Sequence, residues 1–128
     1  MTDKPPDFDQ PDLAAAIERL PVEALDDLPF GAIRLDADGN VVVYSGAEKR
    51  LSGYGDRPAL GQHFFTRIAP CMDTPAFHGR IARALAAGAA DIEFGWIGDF
   101  GSAERELRVR VQPATGGGCW IFLRRETA

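Results

Sequence analysis

Phe30-Gly31-Ala32-Ile33-Arg34-Leu35-Asp36-Ala37-Asp38-Gly39-Asn40-Val41-Val42-Val43-Tyr44 is the stretch that decides the fold. Ile33 and Leu35 alternate with Arg34 and Asp36, the two-residue period of a strand with one buried face. Ala37-Asp38-Gly39-Asn40 then supplies turn chemistry, because Gly accepts positive φ and Asp and Asn hydrogen-bond their own backbone. Three β-branched valines lead into Tyr44, so a second strand follows and the pair reads as a hairpin.

Downstream, residues 45–53 read as a short helix with Ser45 as N-cap and Glu48 three places on, a capping-box spacing. Gly53, Gly55 and Pro58 break it. A second short helix is expected over 63–68. Thr74-Pro75 opens a longer one, with Thr74 as cap and Pro75 in the first turn. Its expected buried face is Phe77, Ile81, Ala84 and Leu85, and Gly88 ends it. Three strands follow. Ile92, Phe94 and Trp96 alternate in the first, Leu107, Val109 and Val111 in the second, and the third runs over 119–123 after Gly116-Gly117-Gly118. Two strands, several helices and three antiparallel strands predict an α+β fold, a five-stranded antiparallel sheet with helices on one face.

Upstream, Pro11 suits the start of a short helix over 12–20, with Leu13, Ile17 and Leu20 on one face. Val22 to Leu25 predicts another turn. Residues 1–27 thus form a small helical N-terminal cap with too little core of its own, which needs a docking surface. Residues 28–126 form the main body of a single domain.

The chain has 128 residues, a hydrophobic content of 45% and a net charge of −5. The charge argues against tracking phosphates and against an anionic membrane surface, so neither nucleic acid nor membrane is an expected partner. No apolar run is long enough to span a bilayer. The acidic, Pro-rich start lacks the apolar segment of a secretory signal, which predicts a cytoplasmic protein with both cysteines reduced. No Cys/His spacing suggests zinc.

Chemistry concentrates in two places. Cys71 sits in Phe64-Phe65-Thr66-Arg67-Ile68-Ala69-Pro70-Cys71-Met72-Asp73-Thr74-Pro75, on a Pro-bounded turn expected to be non-helical. A lone thiol is commonly a packed structural residue. Tyr44, Glu48 and Ser52 follow one another at four-residue spacing and can share one side. If that stripe is buried, Glu48 is desolvated and its carboxyl pKa rises. On spacing alone, Glu48 reads equally as a helix cap.

The residues Phe30-Gly31-Ala32-Ile33, Asp38-Gly39-Asn40, Tyr44-x-x-x-Glu48, Gly61-x-x-Phe64-Phe65 and Ala69-Pro70-Cys71, followed by Asp73-Thr74-Pro75-x-Phe77, fall in register with another family. From about residue 28 onward the chain resembles the photoactive yellow protein family, blue-light receptors of the PAS superfamily. The resemblance implies a PAS fold and a covalent 4-hydroxycinnamic acid (p-coumaric acid) chromophore, held as a thioester on Cys71. Tyr44 and Glu48 would hold the phenolate oxygen, with Ser52 and Tyr54 supporting. Ile33, Phe64, Ala69, Pro70, Trp96 and Phe100 would wall the pocket. The implied cycle is trans–cis isomerisation, proton transfer from Glu48 and partial unfolding, with no substrate turned over. Output would pass by contact to an unknown downstream signalling protein, from a monomer or weak dimer. The alternative is a PAS ligand-binding or protein-interaction module without photochemistry.

Three features depart from the family pattern. Tyr54 stands where an Arg commonly shields the chromophore. This suggests a mixture of phenolate and neutral phenol, or a direct bond from the Tyr54 hydroxyl. The loop over 98–103 is Gly-rich and lacks family aromatics. Finally, a second thiol, Cys119, alternates with Trp120 in the last strand and reads as a small packed residue. His63 and His78 read as helix-surface residues.

Overall fold

The computed structural model describes residues 6–88, 91–99 and 102–125. The expected hairpin forms from β1 (Gly31–Leu35) and β2 (Val41–Tyr44). They pair antiparallel with Ile33 opposite Tyr44 and an irregularity between Arg34 and Leu35. β3 (Ile92–Asp99), β4 (Ser102–Pro113) and β5 (Cys119–Arg125) complete a five-stranded antiparallel sheet of order β2-β1-β5-β4-β3. The last strand lies beside the first, so β5 is central and bonded to both β1 and β4.

The period of two then divides the molecule into layers. Cys119, Ile121 and Leu123 of β5 join one core with Val109 and Val111 of β4. Trp120 and Phe122 join a second core on the opposite face. The first core is roofed by the helical segments between β2 and β3. In α2 (Gly46–Ser52), Ser45 Oγ accepts from Glu48 N at 3.0 Å and from Ala32 N at 3.1 Å, so one hydroxyl caps the helix and ties it to β1. Gly53, at φ +83°, closes the helix in the left-handed region that suits glycine.

The next segments are tighter or wider than an α-helix. Phe64–Ile68 is a π-helical turn capped by His63 Nδ1, and Pro70–Met72 is a 3₁₀ turn. The expected longer helix opens as a π turn, Pro75–Gly79, with Thr74 as cap, and continues as α3 (Arg80–Ala86). Phe77 and Ile81 are buried, but Leu85, expected on the same face, is 39% exposed. Within α3 the four-residue step from Ile81 to Leu85 overshoots a full helical turn by about 40°, which turns Leu85 toward solvent, and Ala84 is only half-buried. The histidines lie on the helix surface as expected: His78, partly exposed, stacks on Phe65 at 3.9 Å between centroids and pairs with Asp73 at 2.8 Å.

The N-terminal segment covers the other face. Leu13 and Ile17 of α1 (Leu13–Glu18), Leu25 of the 3₁₀ helix Val22–Asp27, and Phe8 pack on Phe30, Trp120 and Phe122. Polar ties add direction. Gln112 accepts from Ala14 N at 2.6 Å and donates to Pro11 O at 2.9 Å. Arg110 donates to the carbonyls of Phe8, Gln10 and Pro11. Glu18 accepts from Trp120 Nε1 at 2.8 Å and Thr115 Oγ1 at 2.6 Å. Among the described residues no helix is long and apolar enough to cross a membrane.

Candidate functional site

Tyr44 ends β2, and α2 starts two residues later, so Tyr44, Glu48 and Ser52 arrive on one side at helical spacing. Their exposures are 8%, 3% and 2%. With Tyr54, Phe64, Ile68, Ala69, Cys71, Met72, Asp99 and Leu123 they line one cavity, whose free interior of about 30 Å³ is a slot and not a chamber. Cys71 is exposed, so its thiol sits at the solvent side of a slot whose other polar groups are buried. The backbone there is a 3₁₀ turn and not the non-helical turn expected, because Pro70 takes the first helical position, where its missing N–H costs nothing.

Glu48 has an additional partner. Arg125, at the end of β5, donates to both carboxylate oxygens, at 2.6 and 2.8 Å. The same guanidinium donates to both oxygens of Asp99, at 2.8 and 3.0 Å. Asp99 also takes Arg105 Nη1 at 3.3 Å. The Arg125 side chain is only 6% exposed, so this is a buried ionic cluster. Its packing depends on Gly31, where a Cβ would collide with Glu48 Oε1.

Burial pushes the Glu48 carboxyl above the usual carboxylate range, and the hydrogen bonds and charge of Arg125 oppose it. Burial likewise raises the Tyr44 phenol. The Glu48 charge adds to that effect, and a hydrogen bond with Ser52 works against it. The second thiol, Cys119, is buried and pushed up to about 12 by desolvation.

Of the sequence-predicted residues, the fold brings Cys71, Tyr44, Glu48, Ser52, Tyr54, Phe64 and Ala69 to one cavity. Three predicted wall residues lie outside its lining. Ile33 is sheet floor, fully covered by neighbours, Pro70 is exposed on the turn, and Trp96 packs edge-on against Phe77 at 5.1 Å. Phe100 lies outside the described residues. Tyr54 lends its ring, 5.5 Å from that of Tyr44, while its hydroxyl donates to Pro58 O at 2.6 Å.

Sequence reading missed Arg125 and Asp99. The signal for Arg125 was present: extending the alternation Ile121, Leu123 by one more step places residue 125 on the pocket face.

The donor set fits an aromatic acid tethered through sulfur. A thiol stands at the open side, a phenol, a carboxylate and a hydroxyl are buried, and Phe64, Ile68 and Leu123 supply apolar walls. Seating a ring requires the slot to widen, and the unbranched side chain of Met72 is suited to yield. Among the described residues no cluster of His, Cys, Asp or Glu is arranged to hold a metal.

A sequence profile described as the PAS fold matches residues 25–124, so the chain is a PAS domain. The photoactive yellow protein of Rhodothalassium salexigens is 36% identical over 92% of this chain and 95% of its own length. That of Halochromatium salexigens is 30% identical over the same shares. Among solved structures, the photoactive yellow protein domain of the sensor histidine kinase Ppr from Rhodospirillum centenum matches with a TM-score of 0.77 at 36% identity. It covers 87% of this chain and 98% of that domain. The chain belongs to the photoactive yellow protein family of PAS photoreceptors.

Proposed function

We propose that the chain senses blue light through p-coumaric acid bound as a thioester on Cys71. The observation that carries this reading is the convergence of an exposed thiol and a buried phenol–carboxylate–hydroxyl set on one narrow cavity. The Cys71 thiolate attacks the carbonyl carbon of the activated acid. A sulfur–carbon bond forms, and the activating group leaves with its bonding electrons. Tyr44 and Glu48 hold the phenolic oxygen, Ser52 orients Tyr44, and Tyr54, Phe64 and Ala69 exclude water. The bound group supplies a double bond that blue light isomerises from trans to cis.

Glu48 and the phenolic oxygen share one proton. On isomerisation Glu48 gives up its share and remains a carboxylate in a site poor in water, which costs roughly several kcal/mol unless charge or structure compensates. β5 links that site to the N-terminal cap, since Leu123 and Arg125 serve the pocket side while Trp120 and Phe122 carry the cap. Release of residues 1–27 from residues 28–126 would expose a surface to a downstream partner. The return of Glu48 and Tyr44 to the phenolic oxygen resets the site, and no substrate is consumed.

The test is an absorption spectrum of the chain after reaction with activated p-coumaric acid, before and after a blue flash. A visible or near-ultraviolet band that bleaches, recovers and is lost in Cys71→Ala is expected. No band at all would leave a PAS module that binds other ligands or proteins.

A further inference from the structure

The sheet face under the N-terminal cap bears on what the proposed function leaves open, the chemistry of the downstream partner, and the inference rests on that reading. The period of two and the strand register put Arg34 of β1, Arg110 and Gln112 of β4, and Trp120, Phe122 and Arg124 of β5 on the cap side. The three guanidinium groups have different partners. Arg34 approaches Glu18 at 3.9 Å and Arg124 approaches Asp9 at 3.4 Å, both pairs partly exposed. Arg110 is 7% exposed and, among the described residues, has no carboxylate within ion-pair distance. It donates instead to the carbonyls of Phe8, Gln10 and Pro11.

Charge is divided along the same line. Residues 1–27 hold eight acidic and two basic side chains, and residues 28–128 hold eleven acidic and twelve basic ones. The net charge of −5 therefore belongs to the cap, and the body it covers is nearly neutral. Apolar contact adds a second requirement, because Leu13 and Ile17 of α1 pack with Phe30, Trp120 and Phe122. The cap is nevertheless a weaker occupant than its seat allows. A buried guanidinium held only by neutral carbonyls gains when a carboxylate replaces one, since charge-assisted bonds are shorter and about twice as strong. A nucleic acid would meet the arginines but bring no aliphatic side chains to the floor where Leu13 and Ile17 sit.

We propose that this face is the docking surface for an acidic amphipathic helix of the partner protein. That helix takes the place of the cap, lays aliphatic side chains on Phe30, Trp120 and Phe122, and sets a carboxylate on Arg110. The cap is then an intramolecular stand-in for the partner, and light exchanges one for the other.

Three probes test this: a fluorescent synthetic peptide with the sequence of residues 6–27, the same peptide with every Asp and Glu replaced by Asn and Gln, and a thymidine oligonucleotide. The full chain is used throughout. It is taken unmodified, loaded with activated p-coumaric acid in the dark and in blue light, and as Leu13→Asn with Ile17→Asn, which loosens the cap in the dark without a chromophore. The acidic peptide should bind the loosened chain. Its affinity should fall at least about tenfold when its carboxyls are amidated, and again when Arg110→Gln is added to the chain. The unmodified dark chain should bind it at least about tenfold more weakly than the loosened one, because the tethered cap competes at high effective concentration. Equal binding of the amidated peptide, indifference to Arg110→Gln, or preference for the oligonucleotide overturns the proposal. So does absence of binding while hydrogen exchange at Ala14 N shows the cap loosened. Should the loosened chain not fold, excess acidic peptide added to the unmodified chain decides: faster exchange at the chain's Ala14 N supports the proposal and unchanged exchange overturns it. Binding to the loosened chain but none to the loaded chain in light supports the docking surface and overturns the light-driven release instead.

Discussion

Two glutamates sit against opposite faces of the sheet and answer burial differently. Glu18, on the cap side, is also pushed upward by desolvation. Hydrogen bonds from Thr115 and Trp120, with the charge of Arg34, outweigh that and hold its carboxyl below the usual value. Glu48, on the pocket side, is more deeply buried, and desolvation dominates there even against the Arg125 pair. A partly wet carboxylate with several donors thus behaves as a latch. A dry one behaves as a charge that the fold must keep compensated.

The sharpest way to break this comparison is to remove the compensation. Arg125→Met leaves Glu48 and Asp99 as neighbouring buried carboxylates, and denaturant unfolding should show a loss of about 3–5 kcal/mol. Because Glu48 has a raised folded value, its contribution is fully present below the ordinary carboxylate range and is lost as pH rises through that raised value. The deficit of Arg125→Met should therefore shrink on mild acidification. A deficit independent of pH would mean that lost packing, and not charge, sets its size.

The Glu18 side should show the opposite sign. A depressed folded value gives stability that is present above about pH 4.3 and is lost as pH falls through the folded value. Hydrogen exchange at Ala14 N, which donates to Gln112, should accelerate in acid before the sheet opens. Glu18→Gln should abolish that acid step and weaken the cap by about 1.5–3 kcal/mol at neutral pH. Equal acid sensitivity in the variant would assign the latch to Arg110 and Gln112 instead.

The smallest effect concerns the hydroxyl that positions the pocket glutamate. Ser45→Ala removes a cap bond to Glu48 N and a bond to Ala32 N, and should cost about 1–2 kcal/mol. If cap-side exchange slows or quickens with it, the two faces are coupled through β1.

What could be read from the chain follows from the range of each interaction. The hairpin, the Ser45 and Thr74 caps and the alternation of β4 and β5 are set by neighbours within a few residues, so periodicity exposes them. The stripe Tyr44-Glu48-Ser52 was visible for the same reason. The π turns at Phe64–Ile68 and Pro75–Gly79 were not, since a hydrophobic pattern of three to four residues does not distinguish helix types. Arg125 meets Glu48 across 77 residues, and a doublet of arginines near the end of a strand reads as solvated charge until the central place of β5 is known. Ile33 and Trp96, given to the wall by the resemblance, pack with the core beside the cavity and not in its lining.

The contrast between the chain's thiols makes it self-reporting. Cys71 is exposed and Cys119 is buried with its ionisation suppressed, and it is the thiolate that reacts with alkylating reagents. In the folded, unmodified chain such a reagent should count one sulfur, after occupation of Cys71 none, and on unfolding of the unmodified chain two. A colourless titration therefore gauges both occupancy and integrity of the fold, with no label introduced and no residue changed.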